Sequence, residues 1–307
     1  MKLVVLDAKT MGEIDFSPLK KFGELIIHDT TTKEQTIERI KDADIVLTNK
    51  VLLFEPELSS AKNLKLVCIL ATGMNNIDLE AAKRLDISVK NAKGYSTPSV
   101  VQTTFAILFY LSMGLDKYDE FTSTKAWSRS EIFTDMSRSF CELAGKSWGI
   151  IGLGEIGRSV AKVATAFGAK VSYYSTSGVN RDEIYPLESL KEIMEKDIIS
   201  IHAPLNQKTD NLITKKELDM MKSGGIILNL GRGGIVNEKD LAEALESKNI
   251  LAGLDVMSQE PPNEDNPLLN IKNKDRCFIT PHIAWGSKES RERLLEITIE
   301  NIERFLG

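Results

Sequence analysis

Cysteine and histidine are scarce in this chain of 307 residues, three of each. Cys68, Cys141 and Cys277 are odd in number, far apart and free of any CxxC spacing, which excludes a disulfide framework and a sequence-encoded zinc site. No metal is expected, and unpaired thiols fit the reducing cytoplasm. No apolar run reaches a bilayer span of about 20 residues. The longest, 100–115, is interrupted by Gln102, Thr103 and Thr104 and predicts a buried helix. The opening stretch meets an acid at Asp7, too early for the apolar core of a secretory signal. Positive charge is not in excess either: 39 Lys and Arg stand against 44 Asp and Glu, a net charge of −5. Neither nucleic acid nor a membrane surface is therefore an expected partner. Only 20 Gly and 9 Pro are present, too few for collagen or low-complexity disorder.

What is present is a globular chain long enough for about two domains. Short apolar runs at 3–6, 26–27, 45–47, 67–70 and 87–89 alternate with helix-like stretches. A longer and more regular series follows at 148–151, 170–174, 198–201, 226–230, 250–254 and 277–280. Strand alternating with helix predicts two α/β units with mainly parallel sheets, because parallel strands need crossover helices and are buried on both faces. The seam is expected in the helical region 98–115, after the turn-rich 91–98. From Lys288 onward, Leu295, Ile299, Ile302 and Leu306 recur at helical spacing and predict an amphipathic helix. Residues 116–146 show no clear period, with Trp127, Phe133, Met136 and Phe140 scattered among polar residues. They read equally as a surface excursion or as a subunit-contact arm.

The second series opens with a phosphate-binding signal. Gly152, Gly154 and Gly157 form a GxGxxG turn that also contains Glu155 and Ile156, with an apolar run before it and a helical run after it. The glycines permit a tight turn, close approach of backbone to a pyrophosphate and close helix–strand packing, and the helix N-terminus supplies free N–H groups. The fingerprint places an acid about 20 residues on, to bind the adenosine ribose. Ser175, followed by Thr176 and Ser177, stands there instead. A neutral hydroxyl no longer repels a 2′-phosphate, and Arg181 is close in sequence; equally, hydroxyls replace the acid's hydrogen bonds to NAD. NAD(H) and NADP(H) both remain open at this point.

Ligands of open α/β sheets sit outside the carboxyl ends of the strands. Three predicted strands end in charged residues: Arg232 after 226–230, Asp255 and then Glu260 after 250–254, and His282 after 277–280. Arginine grips a carboxylate or carbonyl, histidine exchanges a proton near neutral pH, and a carboxylate orients the imidazole. Beside a nicotinamide such a trio suits hydride transfer. His28 reads as a solvated surface residue, whereas His202, also following a strand, is expected to line the cofactor cleft.

Together these stretches resemble the D-isomer-specific 2-hydroxyacid dehydrogenase family across essentially the whole chain. The resemblance rests on residues 71–78 and 94–96, the glycine turn, 202–205, Asn229 to Gly233, 253–256 with Glu260 and Pro261, and 281–284. It implies two Rossmann-like or flavodoxin-like doubly wound parallel-sheet domains. Residues 1–98 and 286–307 would form a discontinuous substrate-binding domain, with the NAD(P)-binding domain, 99–285, inserted. The implied reaction is reversible reduction of a small 2-oxo acid to the D-2-hydroxy acid. His282 would be the proton donor, Glu260 its partner, and Arg232 the grip on carboxylate and carbonyl. Backbone at Thr72, Gly73 and Met74 would bind the substrate carboxylate, with Arg232 and His282 completing the substrate contacts. Asp255 would meet the nicotinamide carboxamide, and Thr104 the nicotinamide-side phosphate. Ser175, Thr176, His202, Pro204 and Asn229 would line the rest of the cofactor cleft. Thr103 departs from the histidine many members carry. Trp285 resembles the branch that reduces hydroxypyruvate, which makes hydroxypyruvate or glyoxylate the expected oxo acid. A bulkier oxo acid and a non-catalytic NAD(H)-sensing binding protein are the alternatives. By analogy, residues 116–146 with Trp127 would build a homodimer.

Overall fold

The computed structural model describes residues 1–179 and 181–307, so that only Asn180 falls outside it. The chain divides into two compact units, Met1–Ser96 with Trp285–Gly307, and Thr97–Ala284. The first holds β1 (Lys2–Val5), β2 (Glu24–Ile27), α1 (Lys33–Ile40), β3 (Ile45–Thr48), α2 (Glu55–Ser60), β4 (Leu66–Ile69), α3 (Leu79–Arg84) and β5 (Ser88–Asn91). Its five strands are all parallel, in the order β2-β1-β3-β4-β5. Successive side chains of a strand point to opposite faces. Leu3 and Val5 accordingly join one apolar layer with Leu294, Leu295 and Ile302 of the C-terminal helix Lys288–Leu306, while Val4 and Leu6 join another with Ile40, Leu58 and Ala81.

That C-terminal helix buries a slightly different face from the one its apolar spacing predicts. Leu294, Leu295, Thr298 and Ile302 point inward, and Leu306 is left 44% exposed. Thr298 escapes an apolar count because it is polar, but its hydroxyl donates to the Leu294 carbonyl at 2.8 Å, which satisfies it within the helix.

The second unit begins with α4 (Thr97–Met113) and α5 (Leu115–Ser123), separated by the left-handed Gly114. Then follow β6 (Ser147–Ile151), α6 (Glu155–Ala166), β7 (Lys170–Tyr174), α7 (Leu190–Met194), β8 (Ile198–Ile201), α8 (Lys215–Leu218), β9 (Ile226–Asn229), α9 (Glu238–Ser247), β10 (Leu251–Leu254) and β11 (Cys277–Ile279). The strands are again all parallel, in the order β11-β10-β9-β8-β6-β7. The expected α/β class with two parallel sheets is borne out. Strand order reverses between β6 and β8, and in the first unit between β1 and β3, and such reversals open a crevice at the strands' carboxyl ends. Among the described residues no single helix is long and apolar enough to cross a membrane; α4 and α5 are bent by 66° at their break.

One packing contact fixes α4 against the second sheet. A Cβ on Gly253 of β10 would run into the Ile107 side chain of α4, and would lie 2.8 Å from Leu228 and 3.1 Å from Leu111. Overfilling a well-packed core typically costs about 1–3 kcal/mol. Gly253→Ala is therefore expected to lower unfolding free energy by about that amount, read by chemical denaturation; unchanged stability would show that α4 is free to back away.

Candidate active site

The glycine turn follows β6 directly. Gly152 takes a left-handed φ of 92°, and a Cβ there would stand 2.9 Å from the Ala203 backbone. Gly157 lies against the Gly152 carbonyl, whereas the space beside Gly154 is open. Gly154 is the N-cap of α6, and its cap position makes no side-chain hydrogen bond. The Glu155 carboxylate is engaged elsewhere, accepting the Thr97 hydroxyl at 2.7 Å. An uncapped twelve-residue helix with open space at its start has both the donors and the room for a pyrophosphate.

At the end of β7, Ser175 is buried and its Oγ accepts the Gly178 N–H at 3.1 Å. The next acid, Asp182, is turned away from this turn. One carboxylate oxygen accepts the Ile184 and Tyr185 N–H groups at 2.9 and 3.0 Å, and the other pairs with Arg158 of α6. Arg181 donates to the Gly178 carbonyl at 3.2 Å, which keeps a cation on the Ser175 turn.

His202 follows β8, its N–H donating to the Ile151 carbonyl at 2.9 Å. The residue is half-buried, yet both ring nitrogens are shut off from solvent and lack a partner among the described residues. Burial drives its pKa down from 6.5 to about 3, so the ring is neutral. Two orphaned nitrogens beside the glycine turn are a second mark of a polar group to be received there. Pro204 is held by its carbonyl, which accepts the Thr209 hydroxyl at 2.7 Å. Thr104 is wholly buried within α4, with its hydroxyl donated to the Val100 carbonyl at 2.8 Å.

The charged residues gather at the carboxyl ends of three adjacent strands. After β9, the buried Asn229 accepts the Gly231 N–H at 3.1 Å and donates to the Arg232 carbonyl at 2.9 Å. Its amide is thus consumed in shaping the turn that carries Arg232. After β10, Asp255 is 2% exposed. It accepts the Thr280 hydroxyl at 2.6 Å, the Ile283 N–H at 2.8 Å and the Ala284 N–H at 2.9 Å. Burial raises its carboxyl pKa, against the pull of these hydrogen bonds and of the His282 charge. Glu260, whose bond to Pro261 is cis, accepts the Met257 N–H at 3.0 Å with one oxygen. Its other oxygen lies 2.6 Å from His282 Nδ1. His282 itself has a left-handed φ of 53°. Thr280, at the foot of this network, belongs to no motif of its own; its hydroxyl directly before Pro281 is the signal the sequence offers.

In the first unit, Thr72, Gly73 and Met74 lie in the loop after β4. The Thr72 hydroxyl donates to the Ala92 carbonyl at 2.9 Å, and Asn91 donates to the Thr72 carbonyl at 2.6 Å. The neighbouring loop after β3 is held by buried Asp7, which accepts the N–H groups of Asn49 at 2.9 Å and Lys50 at 2.7 Å. Trp285 meets Tyr95 edge-on, ring centroids 6.3 Å apart. No group of three or more His, Cys, Asp or Glu among the described residues is placed to hold a metal ion.

The neutral His202 has a consequence for stability. Its folded pKa lies below its unfolded value of about 6.5, so between the two the unfolded chain binds one more proton and stability falls as pH falls. Wild type should lose up to about 1.4 kcal/mol per pH unit below pH 6.5 relative to His202→Gln. Parallel pH profiles in denaturant titrations would show that His202 takes up a proton while folded.

The family profile described as D-isomer specific 2-hydroxyacid dehydrogenase, NAD binding domain, matches residues 105–284. A hydroxypyruvate reductase from Blautia hydrogenotrophica is 38% identical over all of this chain and 97% of its own. Among solved structures, an acyclic imino acid reductase in complex with NADPH and D-Arg superposes with a TM-score of 0.87 at 28% identity, covering 100% of this chain and 97% of that one. A D-lactate dehydrogenase from Aquifex aeolicus, complexed with NAD and lactic acid, gives 0.85 at 28% identity, covering 100% and 95%. With an uncapped glycine turn, a His–Glu pair and this likeness along its whole length, the chain belongs to the D-isomer specific 2-hydroxyacid dehydrogenase family.

Proposed function

We propose that the protein reversibly reduces a small 2-oxo acid to the D-2-hydroxy acid, with hydroxypyruvate or glyoxylate as the oxo acid. The observation that carries this is the 2.6 Å contact between His282 Nδ1 and Glu260. With Nδ1 committed to a carboxylate, Nε2 is the nitrogen left to exchange a proton. The reduced nicotinamide, when bound, supplies the hydride for C2 of the oxo acid. His282 gives its Nε2 proton to the carbonyl oxygen as negative charge develops there, and in the reverse direction takes it back. Glu260 stabilises the charged imidazolium and fixes the ring. Arg232, a forked donor, holds the substrate carboxylate and polarises the carbonyl. The loop carrying Thr72, Gly73 and Met74 adds backbone donors to that carboxylate. Trp285 and the full-length similarity to a hydroxypyruvate reductase support a small, polar oxo acid.

Either nucleotide is accepted in this reading, because the Ser175 turn presents hydroxyls and Arg181 while Asp182 is tied to Arg158. Oxidation of NADH and NADPH against hydroxypyruvate, glyoxylate, pyruvate, 2-oxoisocaproate and phenylpyruvate tests the assignment. Hydroxypyruvate or glyoxylate should be turned over fastest, and with both nucleotides. Turnover confined to a bulkier acid would replace the substrate. His282→Ala should cut kcat by about 10²- to 10⁴-fold, and near-normal turnover would remove its role in proton transfer.

The protein is further proposed to be a homodimer. Phe133 is 88% and Met136 76% exposed on the segment between α5 and β6, and Trp127 is half bare. Large apolar side chains concentrated on one excursion mark an interaction surface. Light scattering should give twice the chain mass, and Phe133→Asp with Met136→Asp should shift it toward the monomer. A monomeric wild type would leave the arm without a partner of its own kind.

A further inference from the structure

We infer that Thr280 and Asp255 form the device that positions the catalytic histidine, a role that rests on the assignment of His282 above. His282 is a β-carbon-bearing residue in the left-handed region, a conformation that persists only where its surroundings over-determine it. The Glu260 contact does not supply this, because it holds the ring at Nδ1 and leaves the backbone on either side of His282 untied. The Asp255 carboxylate does. One oxygen accepts Thr280 Oγ1 at 2.6 Å, ahead of His282, and Ile283 N at 2.8 Å, behind it. The other accepts Ala284 N at 2.9 Å. The His282 N–H returns to the Thr280 carbonyl at 2.9 Å, and Thr280 is itself fastened to the strand ladder through its N–H to the Leu254 carbonyl at 2.8 Å. Both flanks of the histidine are thus tied to one carboxylate that is 2% exposed and sits at the end of β10. Thr280 acts through Asp255, and Asp255 through the loop; neither needs to touch the reacting atoms.

This differs measurably from a role for Asp255 confined to the nicotinamide carboxamide. A positioning role lowers kcat and spares nucleotide affinity, whereas a cofactor-only role does the reverse. Thr280→Val keeps the β-branched shape and removes the donor. It should lower kcat about 10- to 100-fold, the weight of a hydrogen bond to a charged group, while the Kd for NADH, read by fluorescence, stays within about threefold. Thr280→Ser, which keeps the hydroxyl, should restore most of the rate. Unchanged kcat in Thr280→Val, or a loss confined to NADH affinity, would overturn the proposal. A second readout needs neither turnover nor a variant that folds: the Ile283 and Ala284 amides of the wild-type protein should exchange slowly with deuterated solvent although they lie outside any strand or helix. Rapid exchange at both overturns the proposal. Slow exchange in a protein that reduces no 2-oxo acid would retain the device and discard the activity.

Discussion

A carboxylate taken out of water must find donors close at hand, and Asp255 finds three within a stretch of five residues, 280–284. Much of the site follows from that requirement. The end of β10 delivers the carboxylate, the end of β11 delivers the donors, and the parallel pairing of these two strands brings their ends together. The loop that satisfies Asp255 has to curl, and the curl puts His282 where Glu260 can reach it. Asn229 works the same way one strand further in, spending both ends of its amide on the turn below Arg232. In the first unit Asp7 does so for the loop after β3. In each case a short polar side chain near a strand end, cut off from solvent, dictates the shape of the loop that satisfies it.

The features written into contiguous sequence were legible in advance. Non-alternating apolar runs located the strands, because parallel strands buried on both faces have no polar side to show. The glycine turn could be read because its three glycines answer to contacts within one βα unit. Arg232, Glu260 and His282 were visible as charged or titratable residues within six positions of a strand's end. Thr280 and Asp255 were harder to connect, because their link spans 25 positions and depends on strand pairing that no local pattern encodes. Thr298 is hidden from an apolar count of the C-terminal helix for a related reason, since only the fold shows that its hydroxyl is satisfied internally.

Charge placement around the nucleotide turn follows one logic. The acids near it are already occupied: Glu155 by Thr97, and Asp182 by Arg158 and two backbone amides. His202 is neutral. The turn therefore presents helix N–H groups, hydroxyls and Arg181 to an incoming polyanion, with no free carboxylate among these residues to oppose it.

The C-terminal helix carries a consequence for biosynthesis. It covers the face of the first sheet built on Leu3, Val5, Leu66 and Cys68, through Leu294, Leu295 and Ile302. Those three residues follow the whole inserted unit in the chain. The inserted unit, Thr97–Ala284, has its whole sequence available before them. Domains generally fold as units in the order they emerge. The inserted unit can thus mature before the helix reaches the first sheet, and for that interval the sheet carries an uncovered apolar face, the kind of surface on which chains associate.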